Sequence, residues 1–229
     1  MENPWKAVSV PTDNYVHPAD RQAWPSGSSL PPQPYLGSYL DGKVMWLLGG
    51  FGTGVEMAIE HATHRHTVIA WTQKNLGCDL PSVPNLWLAA DTNDEALNMT
   101  RDVRWWRKAT TALHAEMARH VGTPLAQKML STRLFVLEAF PYPAKSRPNR
   151  LLPTHAYTRH LLASWVESER PIVVGRAEKF WCQLEPRLHR ALASGIAVRV
   201  KNVRAATISA GNLVGGRDDF SRLVAALLR

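Results

Sequence analysis

The chain reads as an α/β protein, a three-layer α/β/α domain built on a short parallel sheet of four strands. Three observations predict this. Four short apolar runs, at Val44–Leu48 and at residues 134–140, 171–175 and 205–209, have the composition of strands buried on both faces. Stretches of helical periodicity separate them, and strands alternating with helices imply right-handed crossovers into a parallel sheet. With 229 residues, 45% apolar and 20% charged, the chain has the length and composition of one sizeable domain.

Taken in order, residues 1–42 hold Pro11, Pro18, Pro25, Pro31, Pro32 and Pro34, which exclude long regular structure. Trp5, Tyr15, Trp24, Tyr35 and Tyr39 are too many aromatics for a disordered tail. The expectation is an irregular N-terminal arm, with a short helix at residues 18–23, packed on a single domain at 43–229. The run Val44–Leu48 then breaks into Gly49, Gly50, Gly52 and Gly54, and residues 55–61 read as the start of a helix. Such a turn sets bare backbone N–H groups beside a helix N-terminus, which suits an anionic or planar ligand; it also serves as a tight turn with no ligand. Residues 67–71 read as a short strand, and residues 76–90 as an extended, proline-punctuated excursion.

Asn93 is placed to cap a helix of about seven turns. Its Met99, Val103, Trp106, Thr110, Leu113 and Met117 recur at steps of three and four, while Arg101, Arg104, Arg107 and Lys108 make a solvated face. The strand at 134–140 stops at Pro141-Tyr142. A basic loop, Lys145-Ser-Arg-Pro-Asn-Arg150, leads to a helix at 154–168. After the strand at 171–175 comes a helix broken near Pro186, then the strand at 205–209. Asp218 or Asp219 opens the last helix, which buries Phe220, Leu223, Val224, Leu227 and Leu228.

Charge narrows the function classes. The net charge is +8, and it is divided unevenly. Residues 1–100 carry 5 Lys+Arg against 10 Asp+Glu, and residues 101–229 carry 22 against 9. Arginine predominates in the basic half, the footprint of a protein that meets phosphates and bases, so nucleic acid is the expected partner. No apolar run approaches the roughly 18 residues of a membrane span, and no signal peptide opens the chain; a cytoplasmic monomer is expected. Cys78 and Cys182 form no disulfide framework or zinc motif, and His61, His64 and His66 lack a completing Cys or carboxylate. No metal and no cofactor are expected.

The glycine turn is not a Walker loop, because Gly54 is followed by Val55-Glu56 instead of Lys-Ser/Thr. A dinucleotide fingerprint fails too, since Gly50 and Gly52 are followed by Val55 at the third glycine position and no acid follows residues 67–71. Gly50-Phe-Gly-Thr-Gly54 matches the Gly-x-Gly-x-Gly of SAM-dependent methyltransferases, without the acid that precedes it there; Leu48 occupies that place.

Taken together, the glycine turn, a strand with a polar residue near its end and Ser209-Ala-Gly-Asn-Leu213 resemble the uracil-DNA glycosylase superfamily, especially its mismatch-type branch. There the first loop reads Gly-Ile-Asn-Pro-Gly and the last Asn-Pro-Ser-Gly-Leu. Nearly the whole chain is also similar to a group of bacterial proteins that share Asn3-Pro-Trp5, Pro34-Tyr-Leu-Gly37, Phe140-Pro-Tyr-x-x-Lys-Ser146 and an Arg176…Trp181 pair. The resemblance implies a DNA glycosylase that extrudes a nucleotide, seats the base and hydrolyses its glycosidic bond, largely by stabilising the departing base.

On that resemblance Gly49, Gly50, Phe51 and Gly52 line the base pocket and Tyr142 stacks on the base. Glu138 stands where many members use Asn to read uracil. A carboxylate accepts hydrogen bonds, so a cytosine-type or modified base suits it better than uracil, in a setting such as phage defence; the alternative is that Glu138 pairs with an arginine such as Arg176. Ser209, Gly211, Asn212 and Leu213 contact phosphate, with Leu213 as the wedge. Lys145, Ser146, Arg147, Arg150, His155 and Arg176 hold the DNA, His155 doubling as a candidate general acid. The first loop lacks the Asn or Asp that positions water. Glu138, Glu56 or Asp41 takes that part, or the protein is a non-catalytic nucleic-acid-binding or sensing module.

Overall fold

The sheet holds β1 (Tyr35–Leu36), β2 (Val44–Leu48), β3 (Leu134–Glu138), β4 (Ile172–Val174) and β5 (Ala197–Arg199), in the spatial order β1-β3-β2-β4-β5. The last four run parallel, and β1 pairs antiparallel with β3, Tyr35 opposite Leu137. In the computed structural model the described residues are 1–8, 14–24, 27–28, 31–50, 63, 65–78, 81–89, 98, 100–142 and 150–229. Seven α-helices accompany the sheet among them: α1 (Arg65–Leu76), α2 (Arg101–Val121), α3 (Thr123–Arg133), α4 (His155–Glu167), α5 (Glu178–Leu184), α6 (Leu188–Ala193) and α7 (Gly216–Leu228).

Alternation along the strands divides the core in two. Met45, Leu47, Phe135, Leu137, Ile172 and Val174 face one side, where α4, α5, α6 and the N-terminal arm cover them. Val44, Trp46, Leu48, Val136, Val173 and Val198 face the other, under α2, α3 and α7. All five residues of β2 and of β3 are buried, which is why these runs are apolar, with Glu138 at the end of β3 the one exception. The parallel strands lie in the doubly wound order in which the first strand sits between the second and third. The order therefore reverses between β2 and β4, and ligands of such sheets collect outside the carboxyl ends there.

The arm is fixed to the domain by buried polar contacts. Asn3 Nδ2 donates to the Leu76 carbonyl (2.8 Å), and the Tyr35 hydroxyl donates to the same oxygen (2.6 Å). Asp20, fully buried, accepts from the Tyr142 hydroxyl (2.7 Å), the Thr154 hydroxyl (2.7 Å) and the Thr154 N–H (3.1 Å). The arm also supplies β1, so the sheet begins inside the segment expected to be irregular. The short helix expected at 18–23 is a 3-10 turn at Pro18–Asp20.

Three further expectations need correction. Residues 67–71 belong to α1, not to a strand; the β preference of Thr67, Val68 and Ile69 is a contextual one, overridden here. The long helix is capped by the Thr100 hydroxyl, and Gly122, at φ +81°, ends it and turns the chain directly into α3. Asn93 lies outside the described residues. The fourth parallel strand is β5, not residues 205–209. The Asn202 side chain accepts from the Arg204 and Ala205 N–H groups, and Ala206 takes a left-handed conformation (φ +48°), so a turn at 203–205 runs on into irregular backbone.

Candidate functional site

β2 and β3 end in register, Leu48 opposite Glu138, so the glycine turn emerges beside the last residue of β3. Glu138 is only 5% exposed, and its Oε2 accepts from the Gly50 N–H at 2.5 Å. A buried carboxylate is costly to desolvate, and a backbone N–H aimed at it offsets part of that cost. Gly50 has φ +95°, and a Cβ there would stand 3.2 Å from the Phe140 carbonyl oxygen, so the turn needs glycine to close over Phe140.

On the other side of β2, the N–H groups of Gly175 and Arg176 both donate to the Leu47 carbonyl (2.9 and 3.2 Å). A Cβ on Gly175 would lie 2.4 Å from Trp46 Nε1. That indole N–H is buried and has no acceptor among the described residues. Trp181 Nε1 donates to the Leu48 carbonyl (3.0 Å), and Phe180 packs on Phe140 at 5.4 Å between ring centroids. At the carboxyl ends of β2, β3 and β4 the described residues thus gather buried rings, the Glu138 carboxylate and a glycine turn.

His155 stands in the first turn of α4, 2% exposed, with its ring edge-on to Phe140 (5.6 Å) and Phe180 (5.1 Å). Its Nδ1 accepts from the Leu152 N–H (2.9 Å), which assigns the proton of the neutral ring to Nε2. Burial pushes its pKa down to about 4, against opposing pulls from the Asp20 charge and the Ala139 carbonyl. A neutral imidazole at physiological pH offers a hydrogen-bond donor. It does not supply the charge expected of a phosphate ligand or the proton expected of a general acid.

Tyr142 is 1% exposed, packed against Trp5 (6.0 Å) and Trp24 (5.4 Å). Its hydroxyl donates to Asp20 and accepts from the His17 N–H (2.9 Å). Burial and the Asp20 charge push its pKa well up. The ring that was expected to stack on a base is a core ring with both hydroxyl functions used. Asp41 lies at the other end of the sheet, three residues before β2, where its Oδ2 accepts from the Ser82 N–H (2.6 Å). The length of the strand puts it roughly 20 Å from the glycine turn, too far to share its chemistry.

Leu213, expected as the wedge, is fully buried and bridges Val200; the exposed neighbour is Val214, at 59%. The other residues of that loop stabilise it internally. Asn212 accepts from the Asn202 N–H (2.9 Å) and donates to the Thr207 carbonyl (2.8 Å), and the Ser209 carbonyl accepts from the Asn212 and Leu213 N–H groups (both 3.0 Å). Gly211 is exposed, with open space where a Cβ would stand.

Arg176 donates to the carbonyls of Val203 (3.0 Å) and Arg204 (2.9 Å) and lies over the Trp105 ring, so it holds that loop instead of pairing with Glu138. Arg150 donates to the carbonyls of Gln22 (3.1 Å) and Ala23 (3.0 Å) in the arm. Glu56, Phe51, Gly52, Lys145, Ser146 and Arg147 lie outside the described residues.

Of the proposed site residues, the structure therefore brings together Gly49, Gly50 and Glu138, with Arg176 on the adjoining strand end. Sequence reasoning missed Asp20, which has no motif around it. It also missed the Trp46–Gly175 contact, whose one signal was a glycine directly after an apolar run.

Comparison with protein-family models, curated proteins and solved structures gives no match to this chain. Among the described residues, no helix is long and apolar enough to cross a membrane, and no group of three His, Cys, Asp or Glu is placed to hold a metal ion.

Proposed function

We propose that the chain is a nucleic-acid-directed protein of the uracil-DNA glycosylase type, with Glu138 facing a base at the carboxyl ends of β2 and β3. One observation carries this reading: the buried Glu138 carboxylate and the Gly49–Gly50 turn meet at the carboxyl end of β2, the strand beside which the order reverses. A carboxylate accepts hydrogen bonds and donates none, which suits an exocyclic amino group, and so a cytosine-type or modified base, better than uracil. Arg176, at the strand end across β2 from it, and the cationic C-terminal half supply the attraction for phosphate.

A second reading is a binding module without hydrolysis. It is favoured by the burial of Tyr142 and Leu213 and by the distance of Asp41, which leave Glu138 as the described carboxylate at the site. The protein is incubated with duplexes and single strands carrying uracil, cytosine or modified cytosines, then treated with alkali. The glycosylase reading expects strand scission on one of the cytosine-type substrates, lost in Glu138→Gln. Binding without scission on any substrate selects the second reading, and neither binding nor scission removes both.

A further inference from the structure

A cleft of about 550 Å³ opens at the opposite end of the sheet, where Lys43 precedes β2 and Arg170 and Pro171 precede β4; Arg222 and Arg229 reach it from α7. Glu169 is the one carboxylate side chain in the lining. The volume is that of a small-molecule pocket. Pro171, Ala225 and Ala226 give it an apolar floor.

The cations around this cleft are largely unspent. Among the described residues, Lys43, Arg170 and Arg229 make no ion pair, and Arg222 has Asp219 alone, at 3.1 Å. Arg170 is held in place without a carboxylate: its guanidinium lies 3.5 Å from the Trp165 ring centroid and donates to the Ser168 hydroxyl (3.0 Å) and the Gly42 carbonyl (3.3 Å). Burial lowers its pKa, the direction expected of a desolvated cation with no partner anion. Complementing the C-terminal carbonyls of α7 explains part of this charge, but Arg133 already donates to the Leu227 carbonyl from outside the cleft (2.7 Å). A guanidinium held by its ring and hydrogen-bond partners, exposed cations at the rim and an apolar floor match a ligand that is anionic at one end and apolar at the other.

We propose that this cleft binds a small phosphate-bearing ligand of mononucleotide size, with the phosphate between Lys43, Arg170, Arg222 and Arg229 and the apolar part over Pro171, Ala225 and Ala226. The site is separate from the glycine turn by the full length of the sheet.

Calorimetric titration with AMP tests it, with wild type, Glu138→Gln and the double variant Lys43→Ala/Arg222→Ala compared. Both residues of the double variant are exposed, and an unchanged melting temperature verifies its fold. Saturable AMP binding is expected, displaced by excess inorganic phosphate, weakened about tenfold or more in the double variant and unchanged in Glu138→Gln. No saturable binding, or equal affinity in the double variant, overturns the proposal and leaves the cations as partners of the α7 terminus. Binding of a 20-nucleotide single strand at this face, with none of AMP, overturns it in favour of a nucleic-acid track. Because Glu138→Gln reads only the carboxyl end of the sheet, failure there and failure here are told apart.

Discussion

Two buried carboxylates stand toward the same end of the sheet and do different work. Asp20 comes from the arm and accepts three hydrogen bonds, from the Tyr142 hydroxyl and from the hydroxyl and N–H of Thr154. Glu138 ends a central strand and takes the N–H of a glycine turn. Around Asp20 the polar functions of arm, β3–α4 connection and α4 are matched to one another, so the cluster closes the fold. Glu138 stands instead at a strand end beside the glycine turn, the pairing on which the proposed site rests. The lesson is that chemistry-bearing residue types do not mark a site until their own polar atoms are accounted for. Tyr142 shows this, since its hydroxyl is used twice.

The largest effect is expected from Asp20→Ala. It would strand the Tyr142 and Thr154 hydroxyls in a buried environment, at about 4 kcal/mol for two or three orphaned donors. Urea unfolding measures it. A loss below about 1 kcal/mol would mean that the arm is not part of the cooperative unit.

Next comes a pH effect centred on His155, which belongs to the Asp20 side of the comparison. Its folded pKa of about 4 lies below the ordinary value near 6.5, so the unfolded chain takes the proton first. Stability from this group is complete above about pH 6.5, falls by about 1.4 kcal/mol per unit down to about pH 4 and is level below, a loss of about 3 kcal/mol in all. Melts of wild type and His155→Asn across pH 4 to 7 should show this slope only in the wild type.

On the other side, Gly175→Ala would drive a methyl group to 2.4 Å from Nε1 of Trp46, the fully buried member of its stack with Trp105. Overpacking of this kind costs about 2 kcal/mol. It also displaces the β4 end beside the glycine turn, so nucleic-acid binding should weaken along with stability. Weakened binding with unchanged stability would show that the β4 end yields without disturbing the core.

Much of this architecture could be read from the residues, and the exceptions have physical causes. Val44–Leu48 and Leu134–Glu138 are legible because strands buried on both faces read as near-continuous apolar runs, broken here only by the terminal Glu138. α7 is legible because Phe220, Leu223, Val224 and Leu227 recur on one face. β5 is not, because three residues, one of them arginine, carry too little pattern, while residues 205–209 carry more apolar character and bury it from irregular backbone. At the site, the glycine turn and Glu138 were legible from strand ends. The burial of Leu213 beside an exposed Val214 was not, since adjacent apolar residues give no sign of which one faces inward.

The smallest stability effect is expected from Glu138→Gln, and it brings the two carboxylates to the same test. A glutamine side chain keeps an acceptor oxygen for the Gly50 N–H, and removing a buried negative charge relieves desolvation. The change should cost under about 1 kcal/mol. The same chemical step at the arm, Asp20→Asn, turns an NH2 group toward the donors of Tyr142 and Thr154 and should cost about 2 kcal/mol more. Denaturation of the two variants side by side measures the difference. If Glu138→Gln proves the more damaging, Glu138 is a structural carboxylate like Asp20, and the glycosylase reading loses the residue it rests on.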